Sequence, residues 1–380
     1  MFWILFLIAS VVFTYFVLIK PVNYWSDRGV PQYKFWITWI ETVLGFIPYR
    51  GISEAMEKIY NDFPGKRYCG VYQFSTPALF LRDPDLIKQI TVKDFDHFTD
   101  HYQIAPENSE PLWEKNLFSL KGEKWRDMRS TLSPSFTSSK MKIMFGLISE
   151  CAKQFVAYFQ EKNLEIVTVE MKDTFTRFAN DVIASSAFGL NCNSLKEPEN
   201  EFYLMGKEVT NFSGLWTNIK LMIIFILPKL AQVLGLKFFK PKITHFFTNI
   251  VKDNLDSREK NGIIRPDMIQ LLMEARKGKK NEKHEETTDA GFAVVEESLG
   301  KEEKSQNEKL SDEDIAAQAL IFFFAGFHSV STLMCFMAHE LAVNPDIQQR
   351  LQEEVDETLR NCNGAIAYEA LMRMKYMDMV

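Results

Sequence analysis

The sequence predicts a mainly helical chain with one small β-sheet, held at a membrane by an N-terminal anchor. The 380 residues include only 17 glycines and 14 prolines, too few for the many turns of an all-β fold. Strand signals are confined to residues 68–74 and 78–81, which are separated by Thr76 and Pro77 and closed by Asp83 and Pro84. Helical patterning dominates the rest of the chain.

The composition argues against several classes of protein. A formal net charge of −6 is unlike that of a nucleic-acid-binding protein, which presents a basic surface. The five cysteines are scattered and form no C-x-x-C pair, so neither a disulfide framework nor a zinc site is indicated. His97 and His101 lie four residues apart but lack the glutamate of H-E-x-x-H. No metal site is predicted there.

Residues 1–20 are predicted to anchor the protein in a membrane. Residues 1–19 carry no charged side chain, and as a helix they would span about 28 Å, close to the ~30 Å hydrocarbon layer. A cleaved signal peptide is the alternative, but it would need a basic start and a small-x-small cleavage site. Because Lys20, Arg28 and Lys34 follow the apolar run, residues 21–380 are expected on the cytosolic side as one catalytic region.

Two other segments differ from their surroundings. Residues 276–310 are rich in charges of both signs and are predicted to form a solvated, flexible connector. Residues 221–239 are strongly apolar but are interrupted by Pro228, Lys229 and Gly235, so they are too short to cross a bilayer. They form either a core helix or a loop that dips into the membrane interface, and both interpretations stay open.

A long, central, buried helix is predicted after Ser311. Ser311 and Asp314 have the spacing of a capping box, and no proline follows until Pro345. Apolar side chains surround the helix on nearly all sides between residues 315 and 342. Within it, Gly326 and His328 interrupt a run of phenylalanines. This pattern indicates either a groove for a bulky apolar group or a packing glycine beside a hydrogen-bonded core histidine.

Residues 325–330, Ala-Gly-Phe-His-Ser-Val, resemble the oxygen-binding helix of the cytochrome P-450 family, whose pattern is Ala/Gly-Gly-x-Asp/Glu-Thr-Thr/Ser. Trp125 and Arg129 match the family's W-x-x-x-R helix, residues 344–355 match its next helix, and residues 371–380 resemble the lead into the one after that. The sequence is most similar to the insect xenobiotic-metabolising members, and the anchor fits the microsomal branch.

The resemblance implies the cytochrome P-450 fold and a haem-thiolate monooxygenase on the cytosolic face of the endoplasmic reticulum. Such an enzyme inserts one oxygen atom from O2 into a small apolar substrate at its haem iron. Its electrons come from NADPH through NADPH-cytochrome P-450 reductase, with cytochrome b5 as a second partner, and nucleic acid is not a partner. Lys121, Lys124 and Arg126 are either a basic surface for the reductase or ordinary solvated charges.

The resemblance also assigns roles to residues that hold the cofactor. Trp125 and Arg129 lie four apart on one helix face, so that an indole N–H and a guanidinium can reach the same haem propionate. Ala325 and Gly326 would form the groove for dioxygen.

The substrate cavity is implied in the same way. Phe322, Phe323 and Phe327 are candidates for its wall, although a row of phenylalanines is more often core. Residues 103–117 and 202–216 correspond to family segments that shape specificity.

The chain departs from the family pattern at the proton relay. His328 and Ser329 occupy the positions of the family's acid and threonine. Serine keeps a hydroxyl group but lacks the methyl group that restrains a threonine rotamer. Histidine can carry protons near neutral pH. Impaired proton delivery is expected, with a working substitute as the alternative.

The second departure concerns the iron ligand. The family's F-x-x-G-x-R-x-C-x-G loop and E-x-x-R helix are both missing, and none of the five cysteines has the loop's context. We therefore expect a C-terminally truncated chain that lacks the haem-ligand region, supplies no metal ligand and is inactive as a monooxygenase. The alternative is a non-catalytic, membrane-anchored helical protein that binds apolar ligands or the reductase.

Overall fold

The computed structural model describes residues 23–33, 52–73, 76–102, 110–277 and 310–380, and it confirms a mainly helical chain with a small sheet. The predicted anchor at residues 1–20 lies outside the described residues, as do residues 103–109 and 278–309. The chain divides into two compact units, Met1–Glu110 with Phe212–Phe238 and Pro111–Asn211 with Phe239–Val380. The assignment of residues 21–380 to one catalytic region stays a prediction.

The elements of each unit are as follows. The first unit contains α1 (Ile52–Asn61), β1 (Tyr68–Gln73), β2 (Thr76–Leu81), α2 (Pro84–Lys88), α8 (Leu215–Ile226) and α9 (Pro228–Val233). The second contains α3 (Pro111–Glu114), α4 (Gly122–Leu132), α5 (Ser138–Glu161), α6 (Met171–Ala187), α7 (Glu201–Val209), α10 (Pro241–Asn261), α11 (Met268–Arg276), α12 (Asp312–Val343), α13 (Pro345–Asn361), α14 (Tyr368–Leu371) and α15 (Lys375–Met379).

The sheet of the first unit is one antiparallel pair, β1 with β2. The prediction that Thr76 and Pro77 separate the strands is wrong, because both belong to β2, where Pro77 lies opposite Tyr72. A proline is tolerated here because β2 is an edge strand. The prediction that the sheet closes at Asp83 is confirmed. Its carboxylate accepts a hydrogen bond of 2.8 Å from the Leu86 N–H and caps α2.

The segment at residues 23–33 is fixed to β1. The Trp25 indole donates a hydrogen bond of 3.0 Å to the Val71 carbonyl, and the Tyr33 N–H donates one of 2.8 Å to the Gly70 carbonyl. The Trp25 ring covers Gly70 so closely that a Cβ on this glycine would lie 2.3 Å from the ring. The chain that follows the predicted anchor is therefore tied to the sheet.

The apolar segment at residues 221–239 contains the second half of α8 and the whole of α9, and the break falls at Pro228 as the sequence indicates. Leu221, Ile224 and Ala231 are buried, which supports the interpretation as core helices. Trp216 and Val233 are almost fully exposed. Membrane contact by the exposed side of these helices stays a prediction.

The long helix of the second unit begins and ends where the sequence predicts. Ser311 and Asp314 form the capping box, with the Asp314 N–H 3.2 Å from Ser311 Oγ and the Ser311 N–H 2.8 Å from Asp314 Oδ2. The helix α12 ends at Val343, directly before the Asn344-Pro345 dipeptide. It packs most extensively against α6, and also against α3 and α10.

The prediction of burial is confirmed for the first half of α12 and wrong for the second half. Buried positions run from Ile315 to Ser331, whereas Leu333 and Phe336 are about two-thirds exposed, at 66% and 65%. Among the described residues, α12 is the one helix long and apolar enough to cross a membrane. Its first half is nevertheless part of the core of its unit. An apolar pattern on all sides does not reveal which part of a helix has neighbours.

The ends of the segment at residues 278–309 are brought together by an ion pair. Arg276, which the sequence places in the connector, is the last residue of α11. Its guanidinium lies 2.7 Å from a carboxylate oxygen of Glu259 and 2.7 Å from one of Asp312. The contact with Asp312 joins the end of α11 to the start of α12.

Candidate functional site

One side of α12 is exposed along the stretch that resembles the oxygen-binding helix. Phe322, Ala325, Ser329 and Phe336 lie on this side, because residues three, four and eleven apart share a helix face. We call these four residues the open face. Ala325, Ser329 and Phe336 are exposed and Phe322 is half-buried. The Ser329 hydroxyl donates a hydrogen bond to the Ala325 carbonyl one turn earlier.

The helix α4 lies near one end of the open face. It continues into a turn of 3-10 helix at Ser133–Phe136, and the Phe136 and Phe322 rings are 5.7 Å apart. Trp125 and Arg129 are both half-buried on α4. Their position on one helix, which leads into the Phe136 contact, is compatible with the propionate role. That both reach one carboxylate stays a prediction.

Gly326 is explained by helix packing. A Cβ at this position would lie 2.7 Å from Ile183 Cδ1 of α6. The missing side chain therefore lets α12 and α6 approach each other, which is the packing alternative that the sequence left open. The helix runs through Gly326 without interruption. A role of its backbone toward a cofactor stays a prediction.

His328 lies beside the open face and is exposed. Its ring makes an edge contact with Phe327, at 5.4 Å between ring centres. Partial burial of the ring, and then the positive charge of Lys172 from α6, hold the pKa of His328 below its ordinary value. The imidazole is therefore neutral over a wider pH range than a free histidine, and a neutral imidazole can accept a proton on one nitrogen and donate one from the other.

The three phenylalanines predicted for the substrate wall have different surroundings. Phe323 and Phe327 are fully buried and stack on each other at 4.8 Å. Phe323 also contacts Phe202 and Phe247, each at 5.5 Å. These contacts account for Phe323 and Phe327 as core residues on the side of α12 that faces α6, α7 and α10. Of the three, Phe322 is the one on the open face, and its role in the wall of the substrate cavity stays a prediction.

Gln318 is a structural residue of the site that the sequence analysis missed. Its side chain is completely buried. The Nε2 group donates a hydrogen bond of 2.7 Å to the Lys115 carbonyl, and Oε1 accepts one of 2.8 Å from the Leu117 N–H. The Gln318 amide thus forms the same pair of hydrogen bonds with the backbone of residues 115–117 that a neighbouring strand would form. A lone glutamine within the buried run 315–320 was the available signal, since a buried amide needs partners.

An aromatic triad next to this contact was also missed. Trp113, Phe239 and Phe324 come from three distant parts of the sequence, and their ring centres are 5.8 to 6.0 Å apart. Together with Gln318, the triad fixes residues 113–117 to α12. These residues belong to the segment 103–117 that the family resemblance connects with specificity.

The open face fits a flat apolar cofactor on one side. Leu333, Phe336 and Met337 are exposed and offer apolar surface, and the side chain of Ala325 is small. Three of the cysteine thiol groups are less suited to serve as the thiolate ligand of a haem iron. Burial raises the pKa of Cys151 to about 11 and that of Cys192 to about 12, and it also raises the pKa of Cys69. These three side chains remain protonated at neutral pH and do not supply a thiolate.

No cluster of three or more His, Cys, Asp or Glu side chains suited to a metal ion occurs within the described ranges. Lys121 and Lys124, at the start of α4, are exposed, and Arg126 is half-buried. Glu123 and Asp127 on the same helix are also exposed, so both interpretations of the basic residues, a surface for the reductase and ordinary solvated charges, stay open.

Comparison with known proteins decides the family. The family model described as "Cytochrome P450" matches residues 31–380. The chain belongs to the cytochrome P450 family. It is 45% identical to cytochrome P450 9e2 of Blattella germanica, with 94% of this chain and 68% of the relative covered. It is 40% identical to the probable cytochrome P450 9f2 of Drosophila melanogaster, with 100% of this chain and 72% of the relative covered.

Family membership confirms the mainly helical cytochrome P450 fold and the resemblance to insect members of this family. It identifies the protein, at the level of the family, as a haem-thiolate monooxygenase that uses haem iron, O2 and electrons from a redox partner. The non-catalytic alternative is not favoured by these relatives.

The contact made by Gln318 leads to a testable prediction. Gln318→Leu leaves the Lys115 carbonyl and the Leu117 N–H without a partner at a place that water does not reach freely. We expect the free energy of unfolding to fall by about 2–3 kcal/mol, measured by urea unfolding followed by circular dichroism. Amide hydrogen exchange at Leu117 should also become faster.

Gln349→Leu is the matched control. Gln349 lies exposed on α13, and its side chain bonds to Glu353 on its own helix, at 3.3 Å. Its replacement should change the free energy of unfolding by less than about 0.5 kcal/mol. Similar losses in the two variants would refute the structural role of Gln318.

Proposed function

We propose that this cytochrome P450 oxidises small apolar molecules at the cytosolic face of the endoplasmic reticulum membrane. Electrons would come from NADPH through NADPH-cytochrome P450 reductase, with cytochrome b5 as a second donor. The observation that carries the proposal is the open face of α12, which combines apolar surface with the Ser329 hydroxyl in a chain of this family. The insect relatives support the membrane location, and the uncharged residues 1–19 support an anchor.

Trp125 and Arg129 would hold the haem propionates. Both are half-buried on α4, so their hydrogen bonds to a carboxylate would be partly shielded from water and stronger than on an open surface. Haem, when bound, supplies the iron at which dioxygen is activated. Ala325 and the backbone of Gly326 would leave space for dioxygen beside the helix. Phe322 would present an apolar surface to the substrate.

Ser329 would hold and donate a proton at Oγ. The hydroxyl hydrogen now bonds to the Ala325 carbonyl, so donation toward the open face requires the O–H bond to turn away from that carbonyl. Serine lacks the methyl group that restrains a threonine rotamer, so this donor is held in place less firmly than the threonine of the family pattern. His328 would pass protons between solvent and this turn in its neutral form, because partial burial and Lys172 keep its pKa low.

The start of α4 is the proposed contact for the electron donor. Lys121 and Lys124 are exposed there, and Arg126 adds a third positive charge. A basic patch attracts an acidic partner surface and orients it before contact.

Reduction of the haem-loaded chain under carbon monoxide tests whether a cysteine thiolate binds the haem iron. None of the cysteines in residues 1–380 lies in the family's ligand motif, and burial keeps the Cys69, Cys151 and Cys192 thiols protonated. We expect residues 1–380 to bind haem without a thiolate-type Soret band. The same chain extended by the family's cysteine loop should show that band. A thiolate band from residues 1–380 alone would contradict this part of the proposal.

The relay positions lead to a second prediction. In the extended chain, His328→Asp combined with Ser329→Thr restores the family's acid–alcohol pair. Product formed per NADPH consumed should rise several-fold, because protons reach the open face more reliably. The control is His339→Asp, an exposed histidine three turns further along α12, which should leave this ratio unchanged. An unchanged ratio in the double variant would rule out an impaired relay.

A further inference from the structure

Lys172, near the start of α6, reaches across to the middle of α12. Its Nζ atom lies 2.7 Å from Ser331 Oγ, 2.6 Å from Thr332 Oγ1 and 3.2 Å from the backbone oxygen of His328. An ammonium group has three N–H donors and no acceptor. Each of the three donors thus has an acceptor on one turn of α12, residues 328–332, which we call the relay turn.

The ammonium group of Lys172 restricts the directions in which the two hydroxyl groups of this turn can donate. Because an ammonium group only donates, Ser331 and Thr332 must accept from it and point their own hydrogens elsewhere. Ser331 Oγ lies 2.8 Å from the Phe327 carbonyl oxygen, and Thr332 Oγ1 lies 2.6 Å from that of His328. Both hydroxyl groups therefore donate back along α12.

Thr332 connects this arrangement with the open face. It lies three residues after Ser329, and side chains three apart are neighbours on a helix surface. Lys172 itself is half-buried. Its contact with Thr332 therefore brings a positive charge to a side chain next to Ser329 on the helix surface.

We propose that Lys172 is a positioning residue of the relay turn. It directs the hydroxyl groups of Ser331 and Thr332, and it places a positive charge beside the position where the family pattern has a carboxylate. The proposal rests on the proposed monooxygenase function, since a relay has meaning only there. The hydrogen bonds and the charge, however, can be measured without the reaction.

The electrostatics of the relay turn agree with this arrangement. The pKa of His328 is lowered by burial and then by Lys172. The pKa of Lys172 is itself lowered by burial, against the opposing effects of Cys335 on α12 and Glu170 at the start of α6. Among the described residues, these are the titratable groups that act on the pair. A positive charge at Lys172 therefore favours a neutral imidazole at His328.

The experiment is an NMR titration of the histidine rings in the haem-free chain. Six histidines are present, and the signal of His328 is assigned by its loss in His328→Gln. Lys172→Met removes the charge, and we expect the pKa of His328 to rise by about half a unit. Lys172→Arg keeps the charge and should leave the His328 titration as it is in the unaltered chain.

A second readout reports on the hydroxyl groups. Three-bond couplings to the Thr332 methyl carbon give its χ1 rotamer. We expect one rotamer in the unaltered chain and in Lys172→Arg, and an average over rotamers in Lys172→Met. The matched control is Lys153→Met, which removes an exposed lysine on α5 that pairs with Glu150 on the same helix. It should change neither readout.

An unchanged His328 titration in Lys172→Met would overturn the proposal. Equal shifts in Lys172→Met and Lys172→Arg would overturn it as well, because they would trace the effect to packing instead of charge. A chain that shows the expected shifts but gives no thiolate spectrum even after extension loses the proposed function and keeps the role of Lys172. The two failures are therefore distinguishable.

Discussion

The stacked rings of Phe323 and Phe327 determine the rotation of α12, and the candidate site depends on that rotation. The two residues are four apart and therefore share a helix face. Their burial against α7 and α10 turns Ala325 and Ser329 to the opposite side. Close packing requires glycine at two places. A Cβ on Gly206 would lie 2.3 Å from Phe323 Cζ, and one on Gly326 would lie 2.7 Å from Ile183. Packing of Phe323 and Phe327 on one face of α12 thus leaves Ala325 and Ser329 exposed on the opposite face.

Polar contacts also hold other segments of the chain to α12. The buried amide of Gln318 holds residues 115–117 to the start of α12, and the ammonium group of Lys172 holds α6 to its middle. Both side chains are satisfied by named partners, which a polar group in a packed interior requires. The first contact lies before the open face along α12, and the second lies within its span. They connect the specificity segment and the proposed relay to the same helix.

The sequence predicted those features that local signals determine. The capping box at Ser311 and the stop before Pro345 depend on residues within a few positions of each other, and the structure confirms both. The helix with Trp125, which the family resemblance implied, is also present. The sequence could not predict contacts between distant segments. Lys172 gives no local sign that it meets the relay turn more than 150 residues away. For the same reason, the apolar pattern of α12 did not separate its buried half from its exposed half.

Native-state hydrogen exchange along α12 tests the central claim most directly. If burial of Phe323 and Phe327 fixes the helix, amides at residues 315–323 should exchange only by global unfolding. Those after residue 332, where Leu333 and Phe336 are exposed, should open locally with a free energy lower by about 2 kcal/mol or more. Uniform protection along the helix, or faster exchange in its first half, would contradict the claim that this packing positions the site.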